Sequence, residues 1–459
     1  VTRIDRSRLP DVGPDPTFSF PAIGRHTLPN GLRVCTIEHR SVPVITFTLQ
    51  VEGGSGADPD GLEGLAGVVA DMADEGTASL TALEVSDALA RIGADYDVDV
   101  GGDVTDYSLT TLTRFASRGA SLLADMVTRP RLAESEFVRI RQMRLDRLRQ
   151  LKDVASAVAE RTFLRLLYGA HPYGHLAIGT DASLRRVSPD DVVSFHARSL
   201  QPSHATLIVC GAMSHAELLR EAEQAFGGWT SVVGGARDGS PAADIAPSAD
   251  GVTRLAVVPR EGAAQSELRI GQLATSRVTP DYPALLVMNA VLGGQFVSRV
   301  NLKLREEKGY TYGARTSFEW RRGISPFTLQ TSVHTASTAD AIADSLAEIG
   351  AVRGTRPPTD QEMLLAKASL TRGYPRGFET AQQVARSVAV LSLYGLPDSY
   401  FEEFVPKINA VTSADVIEAA RRYLDPARLT TLIVGDYSAI AEPLRRLNLG
   451  EPQVYAAEF

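Results

Sequence analysis

Apolar and polar positions follow two periods along this chain, and each change of period marks an element. Near the start, "TLPNGLRVCTIE" reads as a turn entering a strand, and "VITFTLQVEGGSG" as a strand running into a glycine turn. "DGLEGLAGVVADMADEG" then switches to helical spacing. Leu62, Leu65, Val69 and Met72 share one face, with Asp60 as N-cap and Glu63 three residues on. "TALEVSDALARIGA" repeats the pattern behind Thr81 and Glu84. "DYDVDVGG" and "DYSLTTLTR" alternate and predict a strand pair. One long amphipathic helix is predicted over roughly 134–168, with Phe137, Ile140, Leu148, Leu151 and Val154 on one side. Adjacent strands joined by short turns favour antiparallel pairing, so the pattern predicts an α+β fold.

A repeat organises the whole chain. "VSPDDVVSFHARSLQPSHATLIVCGAMS" (187–214) aligns without gaps to "VTSADVIEAARRYLDPARLTTLIVGDYS" (411–438). Each copy starts with a capping Ser or Thr and an Asp, runs through a short helix, turns at Pro202 or Pro426, and enters an apolar strand ending in Gly211 or Gly435. Two similar halves follow, each a mainly antiparallel sheet covered by helices. The stretch 227–251 is rich in Gly, Ala, Ser, Pro and Asp and has no sustained period, so it reads as a flexible linker. The expected layout is an N-terminal arm over 1–22, a first domain over 23–226, the linker, and a second domain over 252–459.

Composition narrows the partners. A chain of 459 residues exceeds what one core serves. Its net charge of −8 and pI near 5.6 argue against nucleic acid or an anionic membrane, and leave cationic or unfolded peptides open. There are only two cysteines, Cys35 and Cys210, which excludes a disulfide framework, and each sits in an apolar, strand-like run that predicts a buried free thiol. No apolar run approaches the ~20 residues that span a bilayer. The stretch "VTRIDRSRLPDVGPDPTFSFP" lacks the apolar region of a signal peptide, so a cytoplasmic protein is expected, or a periplasmic one if a leader has been removed.

Three stretches carry a resemblance. "GLAGVVADMADEGT" resembles the zinc-binding helix of the pitrilysin and mitochondrial processing peptidase family, the inverzincins. "HPYGHLAIGT" and "LREEKGYTYG" resemble two further landmarks of that family, in the same order, and the likeness covers roughly 24–440. It implies that each chain forms a bowl, or half of a clamshell. The family's H-x-x-E-H grips one zinc with two His on one helical face while the Glu activates water. Here Gly67, Ala70 and Asp71 occupy the matching positions, and Arg147 stands where the resemblance places the third ligand. A catalytic zinc needs about three protein ligands. Asp71 facing Arg147 cannot supply them, and the two are expected to form an ion pair instead. His171 and His175 are four apart, but Pro172 and Gly174 argue against a helix that would converge them. No G-x-S-x-G, Cys–His or P-loop pattern is present, and "VLGGQF" reads as a helix-end turn.

What the resemblance keeps is an Arg and a Tyr seven apart in the second half, Arg305 and Tyr312. By their residue types alone they fit a solvated helix end followed by a strand. In the family such a pair faces the zinc across the substrate chamber and holds the substrate peptide and its oxyanion. The resemblance therefore implies a non-zinc subunit of a heterodimeric metallopeptidase. This chain would carry no cofactor and would supply Arg305 and Tyr312 in trans to a homologous partner carrying H-x-x-E-H and zinc. Peptides or unfolded proteins would be the substrates, with no nucleic acid or membrane partner. A non-catalytic scaffold, or a homodimeric peptide-binding protein of the same fold, is the alternative.

Overall fold

The computed structural model describes residues 18–230 and 254–457, together with Ser7. Most of the predicted arm, and the predicted linker from residue 231 on, lie outside the described residues. The alternating segments form two six-stranded sheets. The first contains β1 (Ile23–Thr27), β2 (Arg33–Glu38), β3 (Val44–Glu52), β4 (Asp95–Val100), β5 (Val104–Leu112) and β6 (Ala205–Gly211), in the order β1-β2-β6-β3-β5-β4. The second contains β7 (Leu255–Pro259), β8 (Gln265–Thr275), β9 (Thr311–Phe318), β10 (Ser325–His334), β11 (Thr430–Gly435) and β12 (Gln453–Val454), in the order β12-β7-β11-β8-β10-β9.

Five strands of each sheet repeat one arrangement, and the sixth differs, β1 running antiparallel to β2 and β12 parallel to β7. β6 and β11, the strands of the sequence repeat, sit inside their sheets and are buried along their whole length. Each is parallel to one neighbour, β2 or β7, and antiparallel to the other, β3 or β8. The parallel pairing is possible because each repeat strand returns to the sheet after a long helical excursion. The capping residues behave as the sequence predicts. Ser188 with Asp191, and Thr412 with Asp415, form reciprocal capping boxes, as do Thr81 and Glu84.

Each sheet is covered on one face by a helix from the opposite half. Ala155–Tyr168 places Val158, Ala159 and Phe163 on Ala256, Val258, Leu432 and Val434 of the second sheet. Ala381–Tyr394 places Val384, Ala385 and Val388 on Cys35, Ile37, Ile208 and Cys210 of the first. Both cysteines are free and buried, and burial pushes the Cys210 thiol up to about 12.

This exchange corrects the single helix predicted over 134–168. Glu134–Lys152 and Ala155–Tyr168 are separate helices, with Val154 extended between them. Phe137, Ile140 and Leu148 face the first core, whereas Val158 and Phe163 face the second sheet. One straight helix cannot present its stripe to both. The N-cap assignment is corrected as well. The helix Leu65–Asp71 starts behind Gly64, whose left-handed backbone (φ 95°) suits glycine, and Asp58 rather than Asp60 accepts from the Gly64 and Ala66 amides at 2.7 Å.

"HPYGH" belongs to a lock between the halves. Tyr173 is 1% exposed, and its hydroxyl donates to the Asp103 carboxylate. The other Asp103 oxygen accepts from the Arg322 amide at 2.9 Å, in the turn joining β9 and β10. Tyr168 reaches the same turn through the Ile324 carbonyl at 2.7 Å, and Tyr394 donates to Trp320 O at 3.0 Å. The two histidines do not converge. His171 Nδ1 accepts from the Tyr173 amide, and His175 Nε2 lies 3.0 Å from Asp58 Oδ2.

Candidate functional site

Gly67, Ala70 and Asp71 share the short helix Leu65–Asp71, which packs against β4 and against Glu134–Lys152. The expected pair of Asp71 with Arg147 does not form. Arg144 takes Asp71 instead, with Nε 2.7 Å from Oδ2, and donates from Nη1 to the Ala177 carbonyl at 2.9 Å. Arg147 lies three residues further along the helix and donates to Gln150. The Arg144 guanidinium fills the space above Gly67, where an added Cβ would overlap both it and the Ala177 oxygen. A glycine, an alanine and one carboxylate already paired with arginine do not fit a zinc ion. Among the described residues, no group of three His, Cys, Asp or Glu is arranged to hold a metal.

The second half is built differently in the segment that leads into its edge strand β9. Arg299 starts the segment and is anchored by Glu362 (2.6 Å) and by the carbonyls of Arg356 and Pro357. Burial alone would raise the Glu362 carboxyl, but Arg299 and the Thr359 amide outweigh it and hold the group at about 2. The chain then loosens into a π-helical turn over Leu302–Glu307, a rare geometry enriched at functional sites. Leu304 points into the core, which turns Arg305 outward. The Arg305 guanidinium lies 4.6 Å from the centre of the Phe296 ring, itself 59% exposed, and its Nε is 3.4 Å from Glu306.

Tyr312 is aimed by a β-bulge. The β9–β10 register slips between Thr331 and Val333, so Tyr312 and Gly313 together oppose Ser332. The Thr331 hydroxyl holds the bulge through the Gly313 carbonyl (2.9 Å) and the Thr311 oxygen (3.0 Å). Tyr312 is left 87% exposed, while Tyr310 packs against the second core. Arg305 and Tyr312 thus line one cavity of about 580 Å³ with Phe296 and the Gly293–Gly294 turn.

That turn is the predicted helix end, closing Tyr282–Leu292. Its glycine has a steric reason. The Gly293 carbonyl accepts from the Thr316 amide on β9 at 3.0 Å, and a Cβ at Gly293 would stand 2.6 Å from that nitrogen. Asn301 ties the segment to β9 by accepting from the Ala314 amide at 3.0 Å. Four further lining residues, Glu267, Arg269, Arg315 and Gln330, were not singled out from the sequence. Their signal was the two-residue alternation of β8, β9 and β10, legible only once the register between those strands is known.

Comparison with known proteins gives the family and the fold. Residues 33–181 match the family described as insulinase (peptidase family M16), and residues 186–370 match the peptidase M16 inactive domain. A Mycobacterium leprae protein named as an uncharacterized zinc protease is 25% identical over 428 residues, covering 93% of this chain and 94% of its own. A Streptomyces coelicolor protein of the same description is 22% identical over 413 residues, covering 88% and 87%. Among solved structures, a peptidase M16 inactive domain from Pseudomonas fluorescens superposes with a TM-score of 0.82 at 22% identity, over 90% of this chain and 98% of its own. A protease from Helicobacter pylori superposes at 0.83 and 19% identity, over 91% and 100%. No helix among the described residues is long and apolar enough to cross a membrane.

Proposed function

This chain belongs to the M16 peptidase family, and from that membership we propose that it is the non-zinc subunit of a two-chain metallopeptidase that cuts peptides. The observation that carries the reading is the contrast between the two halves. The first-half position is filled by the Arg144 guanidinium, whereas Arg305 and Tyr312 open on a cavity in the second half. The exposure of Tyr312 suits a group that meets its target only on assembly.

A homologous partner carrying H-x-x-E-H would hold the zinc, which supplies the activated water. The contribution of this chain is electrostatic. Attack on a peptide carbonyl places negative charge on its oxygen. The Tyr312 hydroxyl donates a hydrogen bond there, and the Arg305 guanidinium adds a fixed positive charge. The Phe296 ring under Arg305 limits its rotamers, so less ordering is left to the moment of reaction. Loss of one such donor typically costs about 10²–10³ in rate.

The test is complementation. Purified alone, the chain should hold no stoichiometric zinc and cleave nothing. Mixed with a homologue carrying H-x-x-E-H, it should restore cleavage of unstructured peptides. Arg305→Ala or Tyr312→Phe should lower kcat of the pair at least tenfold. Intrinsic proteolysis by the isolated chain, or full activity in both variants, would overturn the proposal.

A further inference from the structure

The cavity beside Arg305 and Tyr312 has a floor that the reaction does not use. The strand register aligns Arg269 of β8, Gln330 of β10 and Arg315 of β9 as direct cross-strand neighbours on one sheet face. Arg269 is 6% exposed and is clamped by Glu267 and by the Leu268 carbonyl. With its amide oxygen turned toward Arg315, Gln330 accepts from the Arg315 Nε and Nη2. The contacts differ in charge. Glu267 neutralises Arg269, whereas the partner of Arg315 is a neutral amide. Three arginines and one carboxylate line the cavity, so it is locally positive in a chain whose net charge is −8.

β9 is the last strand of its sheet among the described residues, and because its Ala314 and Thr316 amides are already taken by Asn301 and the Gly293 carbonyl, an extended peptide would meet this stretch through side chains rather than by strand pairing. Arg315 lies three residues beyond Tyr312 on that strand, about 10 Å at strand rise. A guanidinium in a planar, pre-oriented setting matches a carboxylate with two parallel hydrogen bonds.

We propose that Arg315, oriented by Gln330 above Arg269, forms a carboxylate subsite selecting peptides with an acidic side chain or a free C-terminus about three residues from the carbonyl held at Tyr312. The subsite rests on the subunit reading for what Tyr312 holds. The carboxylate has two possible sources, a side chain or a chain end, and both present the same group to Arg315.

The test is fluorescence polarisation with the full chain and three labelled unstructured peptides of one length. One carries an internal Glu and an amidated C-terminus, one carries Gln there with the same amide, and one carries Gln with a free C-terminus. The Glu peptide, the free-carboxylate peptide, or both should bind at least fivefold tighter than the neutral amide, and whichever does identifies the source. The preference should shrink at high salt, as screening requires. Arg315→Gln should bring acidic and neutral peptides within twofold of each other, and Arg315→Glu should transfer the preference to a Lys analogue. Arg315 is exposed, so both variants should fold. Equal binding of all three peptides, no binding of any, or a preference that survives Arg315→Gln would overturn the subsite. The two proposals fail separately. A missing preference while Arg305→Ala still slows the complemented reaction removes the subsite and leaves the subunit reading. A preference that depends on Arg315 while Arg305→Ala is fully active does the reverse.

Discussion

The two halves share the order of five strands and a capped helix–strand unit, yet they treat the surroundings of the edge strand in opposite ways. In the first, the helix Leu65–Asp71 abuts the edge strand β4, and a guanidinium from a neighbouring helix closes the space above it. In the second, the helix Tyr282–Leu292 ends in a glycine turn against the edge strand β9, and a cavity stays open beside it. The scaffold is held by apolar strands that tolerate either outcome. A handful of side chains at the sheet edge make the difference, so the two halves diverge there without diverging in fold.

Four substitutions test this contrast, in order of decreasing effect. Asp103→Ala attacks what joins the halves. It would leave the buried Tyr173 hydroxyl and the Arg322 amide without their acceptor, at a cost of about 2–4 kcal/mol in denaturant unfolding. A single transition shifted as a whole is expected, and loss of one half alone would show that the halves are independent. Gly67→Ala tests whether the first-half site is closed. Overlap with the Arg144 guanidinium and the Ala177 carbonyl should cost about 1–3 kcal/mol, and adding Arg144→Ala should recover only part, because the backbone oxygen remains.

The remaining two concern pH and have opposite signs. Glu362 in the second half is held at about 2 against an ordinary value of 4.5. A depressed carboxyl stabilises the fold above its unfolded value, and that stabilisation is lost as pH falls from 4.5 toward 2. Glu362→Gln should therefore flatten the acid side of a Tm-versus-pH curve. Asp106 on β5 is raised to about 6, first by burial and then by the facing Asp99, against the Gln50 hydrogen bond that lowers it. A raised carboxyl binds its proton more tightly when folded, so its contribution falls as pH rises from 3.8 through 6. Asp106→Asn should remove that smaller decline, and an unchanged slope in both variants would remove this part of the contrast.

Much of this was legible in the sequence because it depends on period and spacing. The strands, the capped repeat and the buried thiols all follow from residues read in order. The spacing of Arg305 and Tyr312 was visible, but their common cavity needed the π-helical turn and the bulge, neither of which has a spacing signature. Arg144 and Arg147 share one face of their helix nearly a turn apart, so the exchange turned on how far along that helix Asp71 sits, which only the packing of the two helices sets. The break at Val154 was hidden because both flanking segments are amphipathic, and only the tertiary destination of each stripe separates them. The cross-strand row under Arg315 was out of reach without the register.

The helices that the halves lend one another affect how the molecule is made. Residues 205–211 leave the ribosome long before residues 381–394, yet that later helix is what covers Cys35, Ile208 and Cys210. The leading portion must therefore wait with an apolar face uncovered until most of the polypeptide has been synthesised. A break in the connecting segment after assembly would leave two interlocked pieces rather than two free ones, since each piece carries part of the other's interior.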